Sequence, residues 1–349
     1  MSENGGVTPV QYILYNNDKP IAKFSIVGGT VRQFNPYASQ KHLLPMQLIN
    51  AKADGFTLWV QERSIDLNTL KHRMFAHALT GSRDRISVAV ATNMFSISDT
   101  FTCFKEGELI FRKDLCNPED QDLAADFILM SSDTSLRKVG FVTPNASTDG
   151  SFPKTWKFEK GAWWLYKIQS IEATRSECEI SKVLRKCGFD AAEYRYDGSY
   201  RKRIKSRNFV GENEFFEPYE SYRYRFEDRS DDDETVYQNI ASLGEEFERS
   251  WRRILLADAL FMNTDRHMRN FGFIRSAKTG ETLRLAPNFD NNQAYFANPG
   301  GLYSTTFFRM FKETYGWTEQ DQKDLSLLLD ACRGNKYLSP ICKAVALVE

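Results

Sequence analysis

The sequence predicts an α+β protein in two parts, and three observations predict it. Alternating apolar segments face each other across short turns, first between residues 11 and 26 and again between 156 and 168. Helical spacing dominates much of the chain after residue 172. Between the two hairpin regions, the acidic, proline-containing stretch Asn117 to Asp122 and the polar run Ser131 to Leu136 mark a boundary. The expected division is an N-terminal α+β subdomain at 1–135 and a second domain at 136–349.

In the first part, Gln11 to Tyr15 and Ile21 to Ile26 alternate as two strands around Asn16-Asn17-Asp18. Phe56 to Val60, Ile86 to Ala91 and Phe101 to Phe104 read as further strands. Leu67, Leu70, Met74, Phe75 and Ala78 recur at helical spacing. A short helix is expected from Leu123 to Met130. In the second part, Trp156 to Phe158 and Trp163 to Ile168 form a hairpin turning at Glu159-Lys160-Gly161. Glu172 to Cys187 is a helix closed by Gly188. Tyr194 to Tyr200 and Lys202 to Phe209 are strands separated at Asp197-Gly198. The acidic run Glu227 to Glu234 is a solvated approach to one long helix carrying Ile240 to Ala259. From Glu319 the chain is mostly helical.

Bulk properties exclude several classes. Among 349 residues, 42% are hydrophobic and 13% aromatic, enough for a packed core. Lys plus Arg, 46, equals Asp plus Glu, 46, so no overall field draws the chain to nucleic acid or an anionic membrane, and direct binding to either is not expected. Met1 to Val10 lacks an apolar signal core. No apolar run reaches spanning length, and Asp258 interrupts Ile254 to Met262. The six cysteines, at 103, 116, 178, 187, 332 and 342, form no C-x-x-C pair, which argues for reduced thiols in a cytoplasmic protein.

The densest cluster of polar chemistry runs from Asn263 to Gly272, just after the long helix. Two strands are expected next, Phe271 to Arg275 and Thr282 to Ala286 around Lys278-Thr279-Gly280, ending at Pro287-Asn288-Phe289-Asp290. Asp265 precedes Asn270 by five residues, and Asp290 stands at the far end of the hairpin. Protein-kinase catalytic loops use this spacing, with a second metal-binding aspartate after a short hairpin. In that chemistry the first carboxylate, Asp265, orients a hydroxyl and accepts its proton. Asn270 and Asp290 are hard oxygen donors suited to magnesium. His267 is open to three readings, as zinc ligand, general base or loop-packing residue; no second His or Cys lies near it, which favours packing.

A nucleotide-binding half is also expected. Ser147 to Lys154 is a polar, Gly150-containing turn whose backbone amides can cover phosphates. Lys167 ends the apolar strand and by alternation shares a face with Trp163 and Leu165. A lysine turned inward needs an anion, such as a phosphate together with a glutamate. Glu177 lies on the inward stripe with Ile180 and Leu184; Glu179, beside Val183, is the alternative. The basic cluster Arg201, Lys202, Arg203, Lys205 and Arg207 reads as a solvated strand face.

These segments, in this order, resemble the HipA-like serine/threonine kinases, including the shorter CtkA-related members. The resemblance rests on N-x-D-R-H-x-x-N-x-G-F at 263–273, on Ala286-Pro287-Asn288-Phe289-Asp290, and on the 147–154 loop with Lys167. It implies a two-lobed protein-kinase-like fold, with an N-lobe near 136–215 and a C-lobe near 216–349. It implies ATP and magnesium as cofactors, with Asp265 as the catalytic carboxylate and Asn270 and Asp290 as metal ligands. Gly150, Ser151, Lys154 and Lys167 then meet the phosphates, Glu177 orients Lys167, and Phe209 lies near the adenine. Ser147 and Ser151 become autophosphorylation candidates. Phe152 stands where the family often has glutamine. The resemblance further implies a protein substrate, an antitoxin partner and a toxin role. Small-molecule or lipid kinases and a nucleotide-binding pseudokinase are the alternatives on the same scaffold.

Overall fold

The computed structural model describes residues 8–68, 70–108, 110–115, 154–198, 202–297 and 304–345. The expected helix at 123–130 and the turn residues Ser147, Gly150 and Ser151 lie outside the described residues. The fold is mixed, with antiparallel sheets and helices, as the sequence predicts. The chain divides into two compact units: residues 1–167, 210–216 and 275–282 in the first, and 168–209, 217–274 and 283–349 in the second.

In the first unit, β1 (Val10–Asn16), β2 (Lys19–Val27), β3 (Thr30–Pro36) and β4 (Phe101–Lys105) form an antiparallel sheet in the order β3-β2-β1-β4. The first hairpin turns at Asn17-Asp18, with Asn17 in the left-handed region (φ 50°) that asparagine tolerates. Strand β3 has no counterpart in the sequence reading.

Two predicted strands are helices: α1 (Ala53–Glu62) and α3 (Arg85–Ala91). The helix α2 (Leu70–Thr80) lies between them, where helical spacing predicts it. Short apolar runs do not distinguish strand from helix by period alone. Burial decides here. Phe56, Trp59 and Val60 all face the core, and they stand three and four residues apart. The Phe56 ring lies 4.1 Å from Phe34 and 4.9 Å from Phe24. For α3, the Asp84 carboxylate accepts the Ser87 N–H at 2.7 Å, an N-cap that starts the helix.

The segment 275–282 is anchored in this unit by a buried cation. Arg275 is 1% exposed and donates to the carbonyls of Leu44 (2.9 Å), His42 (3.0 Å) and Gly280 (2.8 Å), with its guanidinium 5.0 Å from the Phe215 ring. Gly280 is required where it stands: its φ is 74°, and a Cβ would lie 2.0 Å from the His42 carbonyl oxygen. Arg275→Met keeps the apolar bulk but withdraws the donors. Each buried carbonyl left unpaired costs about 1–3 kcal/mol, so urea unfolding is expected to lose roughly 3 kcal/mol or more. A loss within experimental error would show that water replaces the guanidinium.

β5 (Lys154–Glu159) and β6 (Ala162–Ile168), which lie in the first unit up to Lys167, make the predicted hairpin. Lys160 (φ 51°) and Gly161 (φ 78°) supply the two left-handed positions of its two-residue turn.

The second unit contains α4 (Ile171–Lys186), the strand pair β7 (Tyr194–Tyr196) and β8 (Arg203–Arg207), and a helical core. Ser170 caps α4 through the Ala173 N–H, and Gly188 (φ 73°) ends it, as predicted. The expected long helix is two helices, α5 (Asp233–Ala241) and α6 (Glu245–Phe261), because Gly244 (φ 127°) breaks it. The acidic approach is real: Asp232 caps α5 through the Thr235 N–H. Helices α7 (Ser304–Tyr315), α8 (Glu319–Arg333) and α9 (Ser339–Val345) complete the unit. Ile180 and Leu184 of α4 pack with Leu256 and Leu260 of α6, Phe308 and Phe311 of α7, and Leu328 of α8. No described helix is long and apolar enough to cross a membrane. The five described cysteines are free thiols.

Candidate active site

The 263–272 loop is set by the end of α6. Met262 adopts the left-handed conformation (φ 53°), which turns the chain so that the Asn263 N–H bonds the Asp258 carbonyl at 3.0 Å. Asp258, on the last turn of the helix, is 7% exposed. Its carboxylate accepts the Asn263 amide at 3.0 Å and two hydrogen bonds from Arg266, each 2.8 Å. The two parallel bonds make the fork geometry that suits arginine and carboxylate.

Arg266 then ties three segments together. Its second terminal nitrogen donates to the Asn270 carbonyl and to the Phe289 carbonyl, both at 2.7 Å, and the Asn291 side chain accepts at 3.1 Å. The guanidinium side chain is 8% exposed. Burial alone would lower its pKa, but the Asp258 charge and hydrogen bonds outweigh that and raise it above the usual arginine value. A permanently charged group thus fixes the spacing between the loop and the Phe289-Asp290 segment.

Asp265, Asn270 and Asp290 are brought into this one arrangement, all in the second unit. The Asn270 amide nitrogen donates to the Asp265 carbonyl at 2.9 Å, which leaves Oδ1 as the free end of the amide among the described residues. The Asp265 N–H is held by the Asn263 side chain at 3.3 Å, and its half-buried carboxylate makes no hydrogen bond or ion pair among the described residues. Asp290 is left-handed (φ 60°), and its N–H donates to the Tyr194 hydroxyl at 3.1 Å. A non-glycine residue held there is uncommon and stays only where its surroundings impose it. His267 is exposed; its ring nitrogen accepts the Arg269 N–H at 3.2 Å and its carbonyl accepts the Asn270 N–H at 2.8 Å, so it shapes the turn. No cluster of three or more metal-ligating His, Cys, Asp or Glu exists among the described residues.

Phe209 is half-buried with its ring 5.6 Å from Phe289, next to Asp290. Glu177 is 0% exposed and accepts a hydrogen bond from Gln169 at 2.5 Å. Glu179, the alternative, is engaged by Lys182, Tyr196 and Asn335. Lys167, in the first unit, is 9% exposed. The buried face of its strand is the Trp164 and Tyr166 face, however, and Trp163 and Leu165 are half-buried. Lys167 is therefore buried without the apolar face that alternation assigned it. Its cross-strand partner is Lys154, so two lysines face each other on one side of the hairpin.

Asp258, Asn263 and Arg266 have no role in the sequence reading. One signal was available: a carboxylate inside the apolar run Ile254 to Met262 needs a buried partner, and Arg266 follows eight residues later.

Gly272 follows the loop. The Phe271 carbonyl accepts the Tyr219 N–H at 3.0 Å and the Gly272 carbonyl accepts the Ala286 N–H at 2.8 Å. A Cβ on Gly272 would lie 2.2 Å from the Glu217 carbonyl oxygen and 2.7 Å from the Pro218 Cα. Backbone on that side cannot swing away as a side chain would. Gly272→Ala is expected to destabilise by about 1–3 kcal/mol or more, read as a lower melting temperature. An unchanged melting temperature would contradict the close approach.

With the geometry in place, comparison with known proteins adds the ancestry. The model of the HipA-like C-terminal domain matches residues 146–345, more than half the chain. Among solved structures, HipA of the toxin–antitoxin system of Shewanella oneidensis MR-1, determined with HipB and its operator DNA, aligns with a TM-score of 0.57 at 12% identity, covering 97% of this chain and 91% of that one. The Helicobacter pylori proinflammatory kinase CtkA aligns with a TM-score of 0.38 at 16% identity, covering 54% of this chain and 78% of that one. No curated protein matches the sequence. The match over residues 146–345 includes the whole Asp258–Asp290 arrangement, and the chain belongs to the HipA-like family and shares the HipA fold.

Proposed function

We propose that the protein transfers the γ-phosphoryl group of ATP, with magnesium, to serine or threonine hydroxyls, and that Asp265 is its catalytic carboxylate. The observation that carries the reading is the Arg266 hub. It holds an unengaged Asp265 carboxylate, the Asn270 side-chain oxygen and the Phe289-Asp290 turn in one unit.

The donor set fits magnesium. Asn270 Oδ1 and the Asp290 carboxylate are hard oxygen donors, and magnesium is commonly bound by one or two protein oxygens plus phosphate and water. When bound, the metal neutralises charge developing on the transferred group. Asp265 accepts a hydrogen bond from the substrate hydroxyl and takes its proton as the oxygen attacks. Lys167, Lys154 and Glu177 carry the nucleotide-side roles that the sequence assigns them. Phe209, against Phe289, supplies an apolar ring near the Asp290 end. Gly150 and Ser151 are assigned to the phosphates, and Ser147 and Ser151 are the candidate acceptors of self-phosphorylation.

The reading extends to partners. The Shewanella HipA was solved with HipB and operator DNA. By that likeness we assign this chain a toxin-type role with an antitoxin-type partner, and the operator DNA in that complex removes the ground for expecting no direct nucleic-acid binding. The division into a 1–135 subdomain and a 136–349 kinase domain is likewise part of the proposal.

The test is incubation of the purified protein with γ-labelled ATP and magnesium, followed by acid hydrolysis. The reading predicts label on phosphoserine or phosphothreonine, lost when magnesium is chelated. Label that appears only on a small molecule or lipid moves the substrate class. No transfer to the protein or to generic acceptors overturns the reading.

A further inference from the structure

Helix α4 carries Glu177 on one face and lines a cavity of about 640 Å³ with another. Ile171, Arg175, Glu179 and Lys182 follow one another at helical spacing along that face. Tyr196 and the turn Gly334 to Tyr337, between α8 and α9, supply the other wall. Every one of these residues belongs to the second unit. None is part of the Asp265 arrangement.

The charges in the cavity are unbalanced. Glu179 is 5% exposed and is already satisfied by Lys182 at 2.8 Å, the Tyr196 hydroxyl at 3.0 Å and the Asn335 amide at 3.0 Å. Burial would raise the Glu179 pKa, but the hydrogen bonds from Lys182, Asn335 and Tyr196 outweigh it and hold the group below the usual range. Glu179 thus stays ionised and consumes one cation. Arg175 and Lys336 have no carboxylate partner among the described residues. Both pack instead on the same ring: the Arg175 guanidinium is 5.1 Å and the Lys336 ammonium 4.7 Å from the centre of Tyr337. A second ring, Phe296, lies 5.5 Å from Arg175.

Rings that hold long cationic side chains in place reduce the ordering cost of binding an anion. Arg175, Lys182 and Lys336 against Glu179 leave a surplus of two positive charges at the cavity. A phosphate monoester carries about −1.5 to −2 at neutral pH and offers three acceptor oxygens to a guanidinium fork and an ammonium.

We propose that this cavity is a second anion site, which binds a phosphate monoester through Arg175 and Lys336. The ester belongs either to a phosphorylated side chain or to a free small molecule; the recognition chemistry is the same. The Asn335–Glu179 bond already registers the turn against α4, so a bound phosphate adds a second link between the helix that carries Glu177 and the α8–α9 turn. A consequence for activity rests on the function proposed above, whereas the binding itself does not.

The binding is therefore tested without turnover, by calorimetry on full-length protein carrying Asp265→Asn, in excess ADP and magnesium. The probes are O-phospho-L-serine, a phosphoserine heptapeptide and the same peptide unphosphorylated. Lys336→Glu, at an exposed position, and Arg175→Gln are the paired variants. The proposal predicts that a phosphorylated probe binds and the plain peptide does not. It also predicts at least a tenfold weakening by each substitution. Tighter binding of the phosphopeptide than of phosphoserine assigns the site to a modified chain. Equal binding assigns it to small esters. No binding of either phosphorylated probe, or binding unchanged by Lys336→Glu, overturns the proposal. Absence of phosphoryl transfer in the wild type, alongside intact binding here, would count against the kinase reading alone.

Discussion

Arg266→Ala is expected to cost about 3–5 kcal/mol of stability, because it leaves the Asp258 carboxylate buried with its charge uncompensated. A typical domain has only about 5–15 kcal/mol in total, so the variant loses a large share of it. Two features make the effect this large. Among the described residues the Asp258 carboxylate retains only the Asn263 amide as donor, and the Asn270 and Phe289 carbonyls lose the guanidinium as well. Arg266→Lys should recover little, since one ammonium cannot make the paired bonds to Asp258 and also reach two carbonyls. The double variant Asp258→Asn/Arg266→Gln removes both charges and should be more stable than Arg266→Ala, although it still loses the loop geometry. Urea unfolding measures all three. An Arg266→Ala loss below about 1 kcal/mol would mean that water reaches the Asp258 carboxylate and replaces the guanidinium.

The same cluster shows what was legible in the sequence. The spacing of Asp265, Asn270 and Asp290 is a linear signal, and the folded chain brings those residues into one arrangement through Arg266. Hairpins were legible because alternation and turn residues agree, as at Lys160-Gly161. Glu177 was legible because helical periodicity places it with Ile180 and Leu184, and all three are buried. The failures share a cause. Phe56 to Val60 and Ile86 to Ala91 are apolar runs too short to distinguish the two periods, and only tertiary packing makes them helices. The apolar spacing continues on both sides of Gly244 and hides the break, yet its backbone angle ends one helix and begins another. Lys167 was placed inward by alternation with Trp163 and Leu165; it is buried, but on a strand whose apolar side is the other one. Arg275 could not be read at all. Its partners, His42 and Leu44, stand more than two hundred residues away in the chain.

Asp265→Asn isolates the part that the carboxylate plays in phosphoryl transfer. The substitution keeps size and most of the polarity. The residue's N–H contact to Asn263 and its carbonyl contact to the Asn270 amide are backbone interactions, which the change leaves in place. The fold, the Arg266 hub and the Asn270 side-chain orientation should therefore persist. What disappears is the negative charge that orients a hydroxyl and takes its proton. A positioned general base contributes about 10²–10⁴ in rate, so the chemical step should fall by that factor. Nucleotide affinity should change little, because no metal or phosphate role is assigned to this residue. The most direct test is single-turnover phosphoryl transfer from magnesium and ATP by wild type and Asp265→Asn, with nucleotide affinity measured on the same samples. The account predicts equal affinity and a rate at least about a hundredfold lower in the variant; equal rates, or no transfer by the wild type despite bound nucleotide, would contradict it.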